Sequence, residues 1–247
     1  MRLKVLLTLV TGLFIAGAAA AQTPASSFAP SPLDPENTLL LDLSTGGRVT
    51  VQLRPDVAPR HVERIKTLAR RGFYNGLTFH RVIEGFMAQG GDPQGDGTGG
   101  SDLPDLEAEF NRLPHVRGAL SAARTEAPNS ANAQFFIMLA PRLTLDGKYS
   151  VFGRVVSGMN FVDALERGEP PANPRRILRA SIGSDNLSPP TAAEAAAIVA
   201  SPQVAVAPPP TPPLPGVRMP APAPVEAAPA PAEAAPAPAP EAATAPH

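Results

Sequence analysis

The 247-residue chain carries 21 Lys and Arg against 22 Asp and Glu, a formal net charge of -1, with the two signs interspersed. No basic field exists to hold nucleic acid or an anionic membrane surface, so neither is expected as a partner. There is no cysteine, which excludes a disulfide framework and thiol chemistry, and the 4 histidines lack the short spacings of a metal site, so no metal is expected.

At the N-terminus Arg2 and Lys4 precede the apolar run Val5 to Ala21, which ends on Ala19-Ala20-Ala21 before Gln22. This pattern predicts a secretory signal peptide over 1–21 and a short linker over 22–36. The run falls short of the ~20 apolar residues of a membrane span, so cleavage is expected rather than anchoring. At the other end, 18 of the 32 prolines fall in the last 61 residues, where Ala and Pro alternate. Such a composition cannot bury a core, and a disordered, partly polyproline II tail is expected over 186–247. What remains, 37–185, is about the usual size of one domain.

Within it Thr38–Leu43 and Arg48–Leu53 show strand character, and Ser44-Thr45-Gly46-Gly47 has turn chemistry, which predicts an antiparallel hairpin. Pro59 then opens a helical pattern with Val62, Ile65, Leu68 and Ala69 on one face and Gly72 as its stop. Its other face, Arg60, Glu63, Arg64, Lys66 and Arg70, is expected to be solvated. Short apolar runs follow at Thr78–Ile83, Phe86–Gln89, Gly118–Ala122, Gln134–Leu139 and Tyr149–Val156. A second helix fits Met159–Arg167, and Arg176–Ile182 is the last strand. Eight short strands, two helices and no β-helix-β repeat predict a mainly β protein, a closed eight-stranded antiparallel β-barrel capped by two α-helices.

Three segments are richer in particular residue types than packing requires: Phe79-His80-Arg81 through Gly85-Phe86-Met87-Ala88-Gln89-Gly90-Gly91-Asp92, then Gln134-Phe135-Phe136, then Leu145-Asp146-Gly147. In order and spacing this set resembles the cyclophilin family, whose FHR, GFM-QGGD, QFF and LDG pattern is matched over roughly Asn37 to Ile182. The resemblance implies a peptidyl-prolyl cis-trans isomerase without a cofactor. It implies a catalytic set of Arg81, Gln89 and His80. Arg81 would be aimed at the prolyl nitrogen, Gln89 would bond the carbonyl before proline, and His80 would sit beside Arg81 in the groove wall. Phe86, Met87, Phe136 and Leu145 would form the proline pocket, with Gln134 lining the groove and Ala123 and Arg124 where the backbone holds substrate.

Two positions depart from the common pattern of the family: Thr144 stands where many members have tryptophan and Tyr149 where many have histidine. Both are expected at the pocket rim, and weak binding of the inhibitor cyclosporin follows from the missing indole. Taken singly, Arg81 would be an exposed strand arginine and the phenylalanines core; only the ordered set gives them a site. Gly95 to Gly100 formally contains G-x-G-x-x-G, but without a strand-loop-helix frame it does not predict a dinucleotide site.

Together these features predict a monomeric, exported isomerase, expected in the periplasm of a Gram-negative bacterium. It would act on proline-containing segments of unfolded or exported proteins, its tail a possible tether to the envelope. The alternative is a non-catalytic chaperone or scaffold module that holds such peptides.

Overall fold

The computed structural model describes residues 33–201, so the signal segment, most of the linker and the tail beyond Ser201 lie outside the described residues. The eight strands are β1 (Thr38–Leu43), β2 (Gly47–Leu53), β3 (Arg81–Ile83), β4 (Met87–Gly90), β5 (Ala119–Ala122), β6 (Phe135–Met138), β7 (Val151–Ser157) and β8 (Ile177–Ile182). They form one antiparallel sheet in the order β3-β4-β6-β5-β7-β2-β1-β8. The sheet curls into a half-barrel. Its edges, β3 and β8, share no ladder; just ahead of them Thr78 bridges to Arg176, and the Phe79 N–H donates to the Arg175 carbonyl at 2.9 Å.

The β1–β2 hairpin forms where the turn chemistry placed it, with Leu43 opposite Gly47 and Gly46 at φ 101, a conformation that favours glycine. Helix α1 (Pro59–Arg70) starts on Pro59 and buries Val62, Ile65, Leu68 and Ala69 against the sheet. Val62, Ile65 and Leu68 each contribute about 1.5–3 kcal/mol on leaving water. The polar face is not uniformly solvated, which corrects the expectation for two of its residues. Arg64 and Lys66 are buried. Arg64 is drawn in because two connections leave backbone carbonyls pointing at it: Nη2 donates to Pro104 between β4 and β5 at 2.6 Å, and Nη1 to Asn132 between β5 and β6 at 3.3 Å. Lys66 reaches Glu36 at 3.3 Å.

Two elements are shorter than their patterns suggested. The Thr78–Ile83 run changes neighbours partway, so 78–79 meet the segment before β8 and only 81–83 pair with β4. Helix α2 (Met159–Asp163) ends early because the chain must turn to bring Gly168 to β3, where Val82 and Gly168 exchange backbone hydrogen bonds of 2.8 and 2.9 Å. A third helix, α3 (Ala192–Ala200), lies inside the stretch expected to be structureless. Thr191 and Glu194 form a reciprocal capping box at its start, a local signal that outweighs the Pro/Ala background.

Strand alternation sends Val82, Ala88, Ile137 and Leu120 to the main core. Their neighbours therefore face the other side of the sheet, where a second apolar cluster gathers. With both faces covered, β6 can be the unbroken apolar run Phe135-Phe136-Ile137-Met138.

Candidate active site

Register sets the site. Arg81 on β3 is opposite Gln89 on β4, Gln89 opposite Phe136 on β6, and Phe136 opposite Ser121 on β5, one row across four strands. The next row places Ile83, Met87 and Met138 side by side. The loop joining β3 to β4, Glu84-Gly85-Phe86, is closed by the Phe86 N–H donating to the Ile83 carbonyl at 3.1 Å. Gly85 at φ 64 supplies the left-handed residue it needs. That loop turns Phe86 back onto the same face.

Phe86, Met87, Ala123, Phe136, Leu145 and Tyr149 thus fall in one cluster with Ala119, Met138 and Val151. The Tyr149 ring meets Phe136 edge-on at 5.8 Å, and the Arg124 guanidinium lies 4.4 Å from the Tyr149 centroid. Tyr149 is therefore a buried wall rather than a rim residue, whereas Thr144 is exposed. Arg124 also donates to the carbonyls of Thr125 and Lys148, and the Ala123 N–H is taken by the Gln134 carbonyl at 3.0 Å.

Arg81 is half-buried, its side chain 14% exposed, and its Nε donates to Glu169 Oε2 at 2.6 Å. Its Nη1 is buried without a hydrogen-bond partner among the described residues, as is Gln89 Oε1. Gln89 itself is fully buried, with Nε2 donating to Gln134 Oε1 at 2.9 Å. Gln134 Nε2 in turn donates to the carbonyls of Gly97 and Gly99 at 3.1 and 2.8 Å. The Gly-rich loop is thus a brace for the glutamine pair. Asp92 shapes that loop by accepting from the Gln94 and Gly97 N–H groups at 2.8 and 2.5 Å.

His80 precedes Arg81 but lies outside the apolar cluster, buried with neither ring nitrogen hydrogen-bonded among the described residues. Burial pushes its pKa below 6.5 despite the nearby Asp92 carboxylate, which keeps the ring neutral.

A feature the sequence did not expose is His115. It is fully buried and stacks on Phe136 at 6.1 Å. Its backbone N–H and its Nδ1 both lie 2.8 Å from Asp146 Oδ1, and its Nε2 lies 3.2 Å from Ser121 Oγ. The histidine ties the Leu143–Leu145 turn, and so Leu145, to the pocket wall. This Asp-His-Ser line resembles a hydrolase triad only in composition, because Ser121 is fully buried and its hydroxyl is bonded to the Ser150 carbonyl.

What this arrangement offers is a buried donor head beside an apolar cluster, with a fixed amide opposite and no nucleophile. Comparison with known proteins gives it a family. Residues 40–182 match the family model described as "Cyclophilin type peptidyl-prolyl cis-trans isomerase/CLD". A protein of Brucella suis described as a probable peptidyl-prolyl cis-trans isomerase is 50% identical over 171 residues, covering 63% of this chain and 87% of that protein. Peptidyl-prolyl cis-trans isomerase B of Bacillus subtilis is 43% identical over 128 residues, covering 51% and 89%. Among solved structures, cyclophilin AquaCyp293 from Hirschia baltica superposes with a TM-score of 0.58 at 32% identity, covering 64% of this chain and 77% of that one. A Cryptosporidium parvum cyclophilin solved in the presence of the dipeptide Ala-Pro gives 0.55 at 27% identity, covering 59% and 98%.

The chain belongs to the cyclophilin-type peptidyl-prolyl cis-trans isomerases. Its activity is accordingly rotation about the peptide bond that precedes proline.

Proposed function

We propose that this isomerase acts on X-Pro bonds in exported proteins and that Arg81 is the donor that lowers the barrier. The orphaned Arg81 Nη1 and Gln89 Oε1, buried on directly opposed residues beside the apolar cluster, carry this reading. Buried polar atoms left without partners are costly, and a bound peptide is the natural source of the missing ones. The related Cryptosporidium cyclophilin solved with Ala-Pro supports a proline-containing ligand here.

Planarity of an amide is held by roughly 18–20 kcal/mol, because the nitrogen lone pair is shared with the carbonyl. Twisting the bond localises that pair on nitrogen. A guanidinium N–H at the nitrogen therefore binds the twisted state better than the planar one, which is differential binding of the transition state. One such donor is worth about 10²–10³ in rate by analogy with oxyanion-hole donors. The remainder falls to orientation: Phe86, Met87, Phe136 and Leu145 hold the pyrrolidine ring, while Gln89 bonds the carbonyl before proline through the second hydrogen of Nε2, its Oε1 being an acceptor for an N–H of the peptide or of Arg81. His80, neutral and buried, shapes the wall behind Arg81 and transfers no proton. Ala123 contributes its carbonyl rather than its N–H, which is already used within the fold.

The exported setting is supported by the charged-apolar-small pattern of residues 1–21. We also read the Thr78–Arg176 bridge as the seam through which the curled sheet closes into a barrel. Refolding of a secreted substrate protein limited by proline isomerisation tests the proposal. The full chain should accelerate the slow phase and the Arg81→Ala variant should not. Equal acceleration by both would remove Arg81 from the mechanism, and peptide binding without acceleration by either would favour a holding module.

A further inference from the structure

The Arg81 guanidinium is committed on one side. Its Nε donates to Glu169 Oε2 at 2.6 Å, and the carboxylate side chain is 52% exposed while the arginine side chain is 14% exposed. Glu169 is held there by the backbone. It follows Gly168, whose N–H and carbonyl exchange two hydrogen bonds with Val82, the residue after Arg81. Gly168 has φ 152, and a Cβ on it would lie 2.6 Å from the Cα of Pro171, so a side chain at this position would collide with backbone. The early end of α2 and this glycine together deliver the carboxylate to the edge of β3.

We propose that Glu169 is a positioning residue for the isomerisation, setting the plane and reach of the Arg81 guanidinium. This rests on the reading of Arg81 as the donor. The guanidinium is a rigid planar fork with five N–H donors, so fixing Nε fixes where both Nη groups point. The orphaned Nη1 is then the donor left for substrate. Among the described residues no other hydrogen bond or ion pair holds the head: β3 is an edge strand, and a long charged side chain at an edge extends its head toward water. Glu169 acts on the arginine and not on the peptide, so its loss should lower turnover far more than affinity. A carboxylate that instead competed with substrate for the guanidinium would slow the enzyme, and its removal would speed it; the sign of the effect separates the two.

The test compares the full chain with its Glu169→Ala, Glu169→Gln and Arg81→Ala variants on an X-Pro peptide, resolving kcat from KM and recording the melting temperature of each. Glu63→Gln removes an exposed carboxylate on α1 and controls for charge. Glu169→Ala is expected to lower kcat about tenfold, within the hundredfold that a misplacement of about 1 Å can cost, with KM unchanged within about twofold. Glu169→Gln still offers an oxygen to Nε and should retain most of the rate, and Glu63→Gln should match wild type. A Glu169→Ala enzyme as fast as wild type, or faster, overturns the proposal. So does a loss that glutamine does not restore, or one that rises in KM together with a fall in melting temperature. If Arg81→Ala is itself as active as wild type, the reading of Arg81 fails first; if only Glu169→Ala is unimpaired, this proposal fails alone.

Discussion

Gln89 Nε2 donates to Gln134 Oε1 at 2.9 Å, and that bond decides which end of the Gln89 amide is left without a partner among the described residues. The assignment follows from the partners. Gln134 faces the carbonyls of Gly97 and Gly99, which only accept, so its NH₂ must point there and its oxygen toward Gln89. Gln89 Oε1 is then free opposite Arg81. The Gly-rich loop is thus linked to Gln89, opposite Arg81, through two side-chain amides.

Replacing Gln134 by alanine strands two buried carbonyls and one end of Gln89. Leaving a buried polar group unsatisfied costs about 1–3 kcal/mol. The Gln134→Ala variant should be less stable by that order in denaturant unfolding and should lose turnover. Wild-type stability together with wild-type kcat would show that the amide pair does not orient Gln89.

Asp146 accepts from both the backbone N–H and Nδ1 of His115, and this pins the turn that carries Leu145. Asp146→Ala frees the turn while leaving the Arg81 row intact. Peptide KM should rise several-fold with kcat little altered, because the pocket wall loosens but the donor does not move. A fall in kcat with KM unchanged would place Asp146 in the chemistry instead.

Much of the fold was legible because its signals are local. The alternation in Arg48–Leu53, the 62-65-68-69 spacing of α1 and the turn residues of the first hairpin each reflect which side of an element faces the core. That Phe86, Met87, Phe136 and Leu145 gather was legible only from the ordered set, because they lie apart in the chain and meet in one apolar cluster through register. The hidden parts depend on partners distant in sequence. Arg64 is buried by carbonyls 40 and 68 residues away, and His115 takes meaning only from Asp146 and Ser121. Glu169 reaches Arg81 across 88 residues, and no periodicity encodes that. The α3 capping box, in contrast, was local and readable, but lay inside a composition that draws attention to its prolines.

Stability should depend on pH through three histidines. His61, His80 and His115 are buried, and burial holds each pKa below 6.5, in His61 and His115 outweighing the carboxylate alongside. Below about 6.5 the unfolded chain takes up protons that the folded chain does not, so stability falls as pH drops, by at most about 1.4 kcal/mol per pH unit for each histidine. Above that value the three contribute no slope. Burial alone would raise the Glu109 and Asp146 carboxyls, but hydrogen bonds from His61 and His115 hold them below 4.5 and 3.8, so their contributions are lost at still lower pH, in the same direction. Urea unfolding between pH 5 and 8 checks this, using the window in which histidine titrates. A midpoint that rises on acidification would contradict the sign.

Thr144 is exposed beside Leu145, where a tryptophan would add apolar surface and an indole donor to the pocket rim. Cyclosporin should therefore inhibit the wild-type chain weakly and the Thr144→Trp variant more strongly in an isomerisation assay. Sub-micromolar inhibition of wild type would sink this expectation.

The most direct measurement is the rate of cis-to-trans isomerisation of an X-Pro peptide with wild type and Arg81→Ala, alongside peptide affinity by titration. With Arg81 as donor, kcat should fall by about 10²–10³, roughly 2.7–4 kcal/mol of barrier, while affinity changes little because the apolar cluster is untouched. A variant that binds and turns over as wild type does would contradict the account, since the barrier would then be lowered without the guanidinium.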